Sequence, residues 1–171
     1  MILTNYWKLL MNTQYNCETT SDRYNLVDLG GSVFSNYAIV HPTDPTDSRP
    51  VTYWNGIQPR TFDGFLIGRG TGTIKTSDHC LFSDMTDRHE NLNLTIDNSS
   101  EAGRFNTTIV MSGNLRPAFG AYDITEFGLY KDILLTDYST RRVLVAKVLL
   151  DEPIHMEQNS PFRIVCDWIQ S

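Results

Sequence analysis

The chain has 171 residues, 40% of them hydrophobic and 20% charged, with a formal net charge of −6. That length and composition suit one globular domain and exclude a disordered or collagen-like polymer. The acidic balance, with no run of five basic residues to offset it, repels phosphate and makes nucleic acid a poor partner.

No apolar stretch approaches the roughly 20 residues that a membrane helix needs, so no membrane insertion is expected. Met1 to Met11 holds Ile2, Leu3, Trp7, Leu9 and Leu10 but lacks a basic start, an unbroken apolar run and a small-residue cleavage site. It does not read as a signal peptide. Within it, Thr4 is a plausible N-cap for two helical turns over Asn5 to Asn12, with Leu3, Tyr6, Trp7 and Leu10 sharing one face. A helix that short needs a surface to dock on, either its own domain or a neighbouring subunit. Residues 1–20 are therefore read as a helix or arm, and 21–171 as the folded domain.

Strand signals fill the rest. Asn25 to Leu29 and Ser32 to Val40 flank Gly30-Gly31, a pair suited to a tight hairpin. His41 to Pro50 holds three prolines and two aspartates and reads as an exposed loop. Val51 to Trp54 resumes strand character, and Phe62 to Gly68 is another strand. Glu90 to Asp97 alternates, with Leu92, Leu94 and Ile96 predicted inward. After a turn over Asn98 to Gly103, Phe105, Thr107, Ile109 and Met111 face one way, so the two runs form an antiparallel hairpin. Ile124 to Tyr130 is an extended run broken by Gly128. Val143 to Leu150 is apolar except for Lys147 and is expected to be buried on both faces, then broken by Asp151-Glu152-Pro153. Phe162, Ile164, Cys166 and Trp168 alternate with Arg163, Val165 and Asp167 in a period-2 strand. Eight to ten short strands at this spacing predict an all-β fold, a single antiparallel β-sandwich with a jelly roll among its possible arrangements.

No segment carries recognisable catalytic chemistry. Gly68 to Gly72, GRGTG, lacks the Gly-Lys-Ser/Thr and the following helix that a phosphate loop requires, so its glycines are read as serving a bulge or tight turn. In Asp78-His79-Cys80, adjacent side chains on extended chain point apart, so His79 cannot easily activate Cys80. Asp84, Asp87, His89 and Glu90 could offer oxygens to calcium, but not at the spacing of a calcium loop, and a solvated loop is the simpler reading. The four histidines are too scattered to suggest a ligand pair, and no Gly-x-Ser-x-Gly elbow occurs. Cys17, Cys80 and Cys166 are odd in number and read as reduced thiols, and the Asn-x-Ser/Thr triplets at Asn93, Asn98 and Asn106 carry little weight without a secretory signal. No catalytic residue, cofactor or metal is expected. The residues read as partner-binding are Leu3, Tyr6, Trp7 and Leu10 on the arm, and Tyr53 and Trp54 beside the proline-rich loop.

Three stretches taken together, ILTNYWKLL (Ile2 to Leu10), LIGRGTG…TSDHCL (Leu66 to Leu81) and ITEFGLY…VLVAKVLLDEPIHMEQNSPFRIVCDWI (Ile124 to Ile169), resemble small structural proteins of tailed bacteriophages. The third stretch looks like the closing pattern of tail-fibre, collar and related phage virion modules. The resemblance implies a non-enzymatic, all-β virion protein that works as a homo-oligomer with other virion proteins and is assembled in the host cytoplasm. Because this chain has no glycine-rich or coiled-coil shaft, it is expected to be a compact tail-associated adaptor or attachment subunit, with a capsid decoration or head-fibre protein as the alternative. A carbohydrate-binding β-sandwich module, contacting a host-surface glycan through Tyr53, Trp54 and Asn55, is the reading from another class.

Overall fold

The structure, a computed structural model, describes residues 2–3, 26–34, 62–101, 104–134 and 139–170. Among these the chain is nearly all β, in antiparallel sheets, with no α-helix and one 3₁₀ turn at Thr86–Arg88. The strands are β1 (Ile2–Leu3), β2 (Leu26–Val27), β3 (Val33–Phe34), β4 (Gly64–Gly68), β5 (His89–Glu101), β6 (Arg104–Leu115), β7 (Tyr122–Leu134), β8 (Thr140–Met156) and β9 (Pro161–Gln170). They form a four-stranded sheet in the order β1-β8-β7-β4, a three-stranded sheet in the order β5-β6-β9, and the small hairpin β2-β3.

The period-2 patterns act as expected. In β6, Thr107, Ile109 and Met111 are buried, and in β9 Phe162 and Ile164 are buried while Arg163, Val165 and Asp167 are exposed. Phe65 and Ile67 of β4, Phe127 and Leu129 of β7 and Val143 and Ala146 of β8 join them in one core. The Phe65 ring meets the Phe162 ring edge-on, with centroids 6.3 Å apart, so the two larger sheets share that core. Each of the larger apolar side chains among them contributes about 1.5–3 kcal/mol when fully buried. In the β2-β3 hairpin, Gly31 takes a φ of 86°, and the Asp28 carboxylate accepts the N–H groups of Gly30 and Ser32.

Several local expectations are corrected. Ile2 and Leu3 form a strand, paired with Lys147 and Ala146 of β8, so Leu3 belongs to a sheet edge and not to a helix face; Asn5 to Asn12 lies outside the described residues. Gly128 does not break β7, which runs on to Leu134. A Cβ there would stand 2.5 Å from Leu144 Cδ1 and 3.1 Å from Leu81 Cδ2, so the missing side chain lets a second apolar layer pack on the sheet. Asp151-Glu152-Pro153 does not end β8. The ladder passes from Leu149 opposite Glu126 to Ile154 opposite Ile124, and the intervening residues bulge outward, where a proline without an N–H is tolerated. Asn98 to Glu101 continue the β5-β6 ladder and are not turn residues. Leu92 follows a bulge at Asn91, whose φ is 54°, and remains 38% exposed.

Candidate functional site

The face of the four-stranded sheet turned away from the core is built from Leu66 and Gly68 of β4, Glu126, Gly128 and Tyr130 of β7, and Leu144 and Lys147 of β8. A register shift leaves Val145 as an extra residue in β8, so Val143 to Lys147 are buried in succession. Lys147 is only 1% exposed, and Glu126 is fully buried. A lysine or carboxylate so placed is tolerated only when its charge and its hydrogen-bonding capacity are met.

The loop 69–83 meets them. Glu126 Oε1 accepts the N–H of Gly70 at 3.0 Å and of Ser83 at 2.8 Å, and Oε2 accepts the N–H of Phe82 at 3.0 Å. Lys147 Nζ lies 3.7 Å from Glu126 Oε2 and donates to Asp78 Oδ2 at 3.3 Å and to the Cys80 carbonyl at 3.1 Å. The Phe82 ring covers the ammonium, its centroid 3.2 Å from Nζ, which explains why this large apolar side chain stays 41% exposed. Thr125 Oγ1 donates to the Gly70 carbonyl at 2.7 Å. The ends of the loop are closed by a bridge between Gly68 and Asp84 and by Arg69 N–H donating to the Ser83 carbonyl at 3.0 Å. One carboxylate and one ammonium thus hold a compact surface loop whose exposed tip carries Thr71, Thr73, Lys75, Thr76 and Ser77. The hydrogen-bonding atoms of both side chains are directed at the loop, and the pair holds it against the sheet.

This geometry also explains GRGTG. Gly70 does not make a tight turn. A Cβ at Gly70 would collide with Phe82 Cβ and Glu126 Oε1, and one at Gly68 would stand 2.6 Å from both Glu126 Oε1 and the Ser83 carbonyl. The glycines let backbone N–H groups reach the carboxylate. In Asp78-His79-Cys80, Asp78 and the Cys80 carbonyl face Lys147, whereas His79 lies beside Gly31.

The acidic group at Asp84 to Glu90 is dispersed. Asp84 accepts the N–H and the hydroxyl of Thr86, at 2.8 and 2.6 Å, and shapes the 3₁₀ turn. His89 turns inward and is 2% exposed. Its Nδ1 stands 3.2 Å from the Met85 carbonyl and its Nε2 2.9 Å from the Tyr122 hydroxyl, so Nδ1–H donates to Met85 and Nε2 accepts from Tyr122. Burial lowers the His89 pKa below 6.5, against the Met85 bond and Asp87, which raise it. Burial also pushes the Tyr122 hydroxyl up to about 12. Arg88 lies over the Tyr122 and Phe119 rings, 5.9 and 5.3 Å from their centroids. Cys166, packed against the core, has its thiol pKa raised by burial.

Of the residues predicted to bind partners, Leu3 lies in β1, while Tyr6, Trp7, Leu10, Tyr53 and Trp54 fall outside the described residues. Sequence reading missed Glu126 and Lys147 as a pair. The available signal was Lys147 itself, since a lysine inside a run buried on both faces requires a buried partner. No helix among the described residues is long and apolar enough to cross a membrane. In comparisons with known proteins, the chain matches no family model, no curated protein and no solved structure.

Proposed function

We propose that the chain is a non-enzymatic structural subunit of a tailed-bacteriophage virion, a tail-associated adaptor or attachment component that assembles with copies of itself. In this reading the two larger sheets stack as a single β-sandwich, with Phe65 and Phe162 across the seam. The observation that supports it concerns the three stretches that resemble virion proteins. They meet around Lys147: Ile2 pairs with it in the sheet, Asp78 and the Cys80 carbonyl accept its hydrogen bonds, and Glu126 is its buried counterion. A resemblance spread over distant parts of the chain therefore corresponds to one physical unit, a sheet carrying a pinned loop. Such a unit suits docking, because a loop held by buried charge presents its tip without further ordering cost.

The test has two readings. Light scattering on the reduced chain over a concentration series should give a closed oligomer of defined mass. Tagged chain made in cells producing the particle should then sediment with tail fractions. A chain that stays monomeric and appears in no particle fraction would refute the proposal, and recovery with heads would move the assignment to a capsid decoration protein.

A further inference from the structure

The sheet edges in the described residues are treated unequally. On β4, Met85 N–H donates to the Ile67 carbonyl at 2.7 Å, and Ile67 N–H donates to Thr86 Oγ1 at 2.9 Å, so that edge is covered. On β8, the edge is occupied by Ile2 and Leu3 and, further along, by Leu29 N–H donating to the Arg142 carbonyl at 3.0 Å. On β5, the bulge between Glu90 and Asn93 interrupts the start of the strand, which then runs in unbroken register to Glu101. Bulges, coverings and short caps are the usual protection of an edge. β9 has neither a bulge nor a cover among the described residues, and Pro161 at its start is the one position whose missing N–H suits an open edge. It pairs with β6 without a register shift from Pro161 to Gln170, and among the described residues nothing pairs with its other side.

The register shows which backbone groups that open side presents. Leu115 N–H donates to the Ser160 carbonyl at 3.1 Å, so the even-numbered residues of β9 direct their backbone groups at β6. Alternation then points the N–H and C=O of Arg163, Val165 and Asp167 away from the sheet. The same three residues have exposed side chains on the solvent face, and Val165 is 45% exposed. They read positive, apolar, negative, with opposite charges at equal spacing on either side of Val165.

We propose that β9 pairs antiparallel with β9 of a second copy of this chain, across a two-fold axis at Val165. The two Val165 residues then face each other and exchange N–H to C=O bonds. Arg163 of each copy stands opposite Asp167 of the other, and the two three-stranded sheets become one continuous six-stranded sheet. The occupant follows from charge. A strand edge bearing only one sign would repel its own copy, whereas this edge is complementary to itself in that single register. Asp167 is already oriented, since Thr108 Oγ1 donates to its Oδ1 at 2.7 Å. The inference goes beyond the virion reading and does not rest on it.

The test is a charge swap on the full chain, read by sedimentation equilibrium at low salt, with circular dichroism to confirm folding. In Asp167→Arg both cross-pairs become arginine against arginine, and in Arg163→Glu both become acid against acid. Each variant alone should dimerise about tenfold more weakly than the wild type, which is about 1.4 kcal/mol shared by the two cross-pairs. Mixed in equal amounts, the two variants should recover dimerisation. In the mixed dimer the introduced glutamate of one variant faces the introduced arginine of the other, and the retained Arg163 faces the retained Asp167. A wild type monomeric at every concentration would overturn the pairing and assign the edge to another occupant. Single variants that keep the wild-type mass would overturn it too, while leaving assembly through other surfaces intact. Failure of the mixture to recover would also overturn it, since complementarity is the basis of the register.

Discussion

Replacing Glu126 by Gln keeps the shape of the side chain and tests whether this carboxylate holds the loop. The amide oxygen can still accept the Gly70 and Ser83 N–H groups, but the amide nitrogen then faces the Phe82 N–H, which loses its acceptor. One buried donor left unsatisfied costs about 1–3 kcal/mol. Lys147 also loses its buried counterion and retains Asp78 and the Cys80 carbonyl. Together these changes place the loss at about 3–5 kcal/mol, the range for breaking a buried pair. For a chain of this length that corresponds to about 2–4 °C of melting temperature per kcal/mol. Lys147→Met should cost less. It removes the ammonium and keeps most of the stem volume, and Glu126 retains all three backbone donors. Urea denaturation of the wild type, both single variants and the double variant gives the ordering and the coupling. Two results would refute this role for the carboxylate. One is a greater loss in Lys147→Met than in Glu126→Gln. The other is a Glu126→Gln variant within about 0.5 kcal/mol of the wild type, the range of an ordinary surface substitution.

Gly70→Ala should destabilise by about 1–3 kcal/mol through overpacking against Phe82 and Glu126, and should raise protease cleavage within 69–83; unchanged stability and cleavage would mean that the close approach is not needed. Acidification should weaken the fold. The His89 pKa is lowered by burial, so the unfolded chain binds the proton first, and stability present above pH 6.5 declines as pH falls through 6.5 toward the folded value. The urea midpoint of the wild type should therefore drop more steeply over that window than that of His89→Phe, and equal slopes would remove His89 as the cause. A charge at Val145, which is 1% exposed, should abolish folding as read by circular dichroism, whereas one at half-buried Val148 should be milder; equal effects would contradict the observed end of the two-faced burial.

Much of the β scaffold was legible because its signals are local. Alternation in Thr107 to Met111 and Phe162 to Cys166, and glycine at the β2-β3 turn, each depend on neighbours within a few residues. Breaks were less legible. Gly128 and Asp151-Glu152-Pro153 look like punctuation, yet one sits beneath an apolar layer and the other bulges out of a continuing strand. What decides between these outcomes is packing from elsewhere in the chain.

The candidate site shows the same division. By itself the sequence determined that strands dominate, that β8 carries an apolar run needing cover on both faces, and that a lysine stands inside that run. It also contains the self-complementary trio Arg163, Val165 and Asp167. Only the tertiary structure decided that Glu126 is the counterion of Lys147, that Gly70 exists to let an N–H reach it, and that the trio's backbone groups point outward from the sheet. Side-chain period is a local property, whereas the partner of a buried charge and the direction of a strand's free edge are set by register and by contacts between residues far apart in the chain.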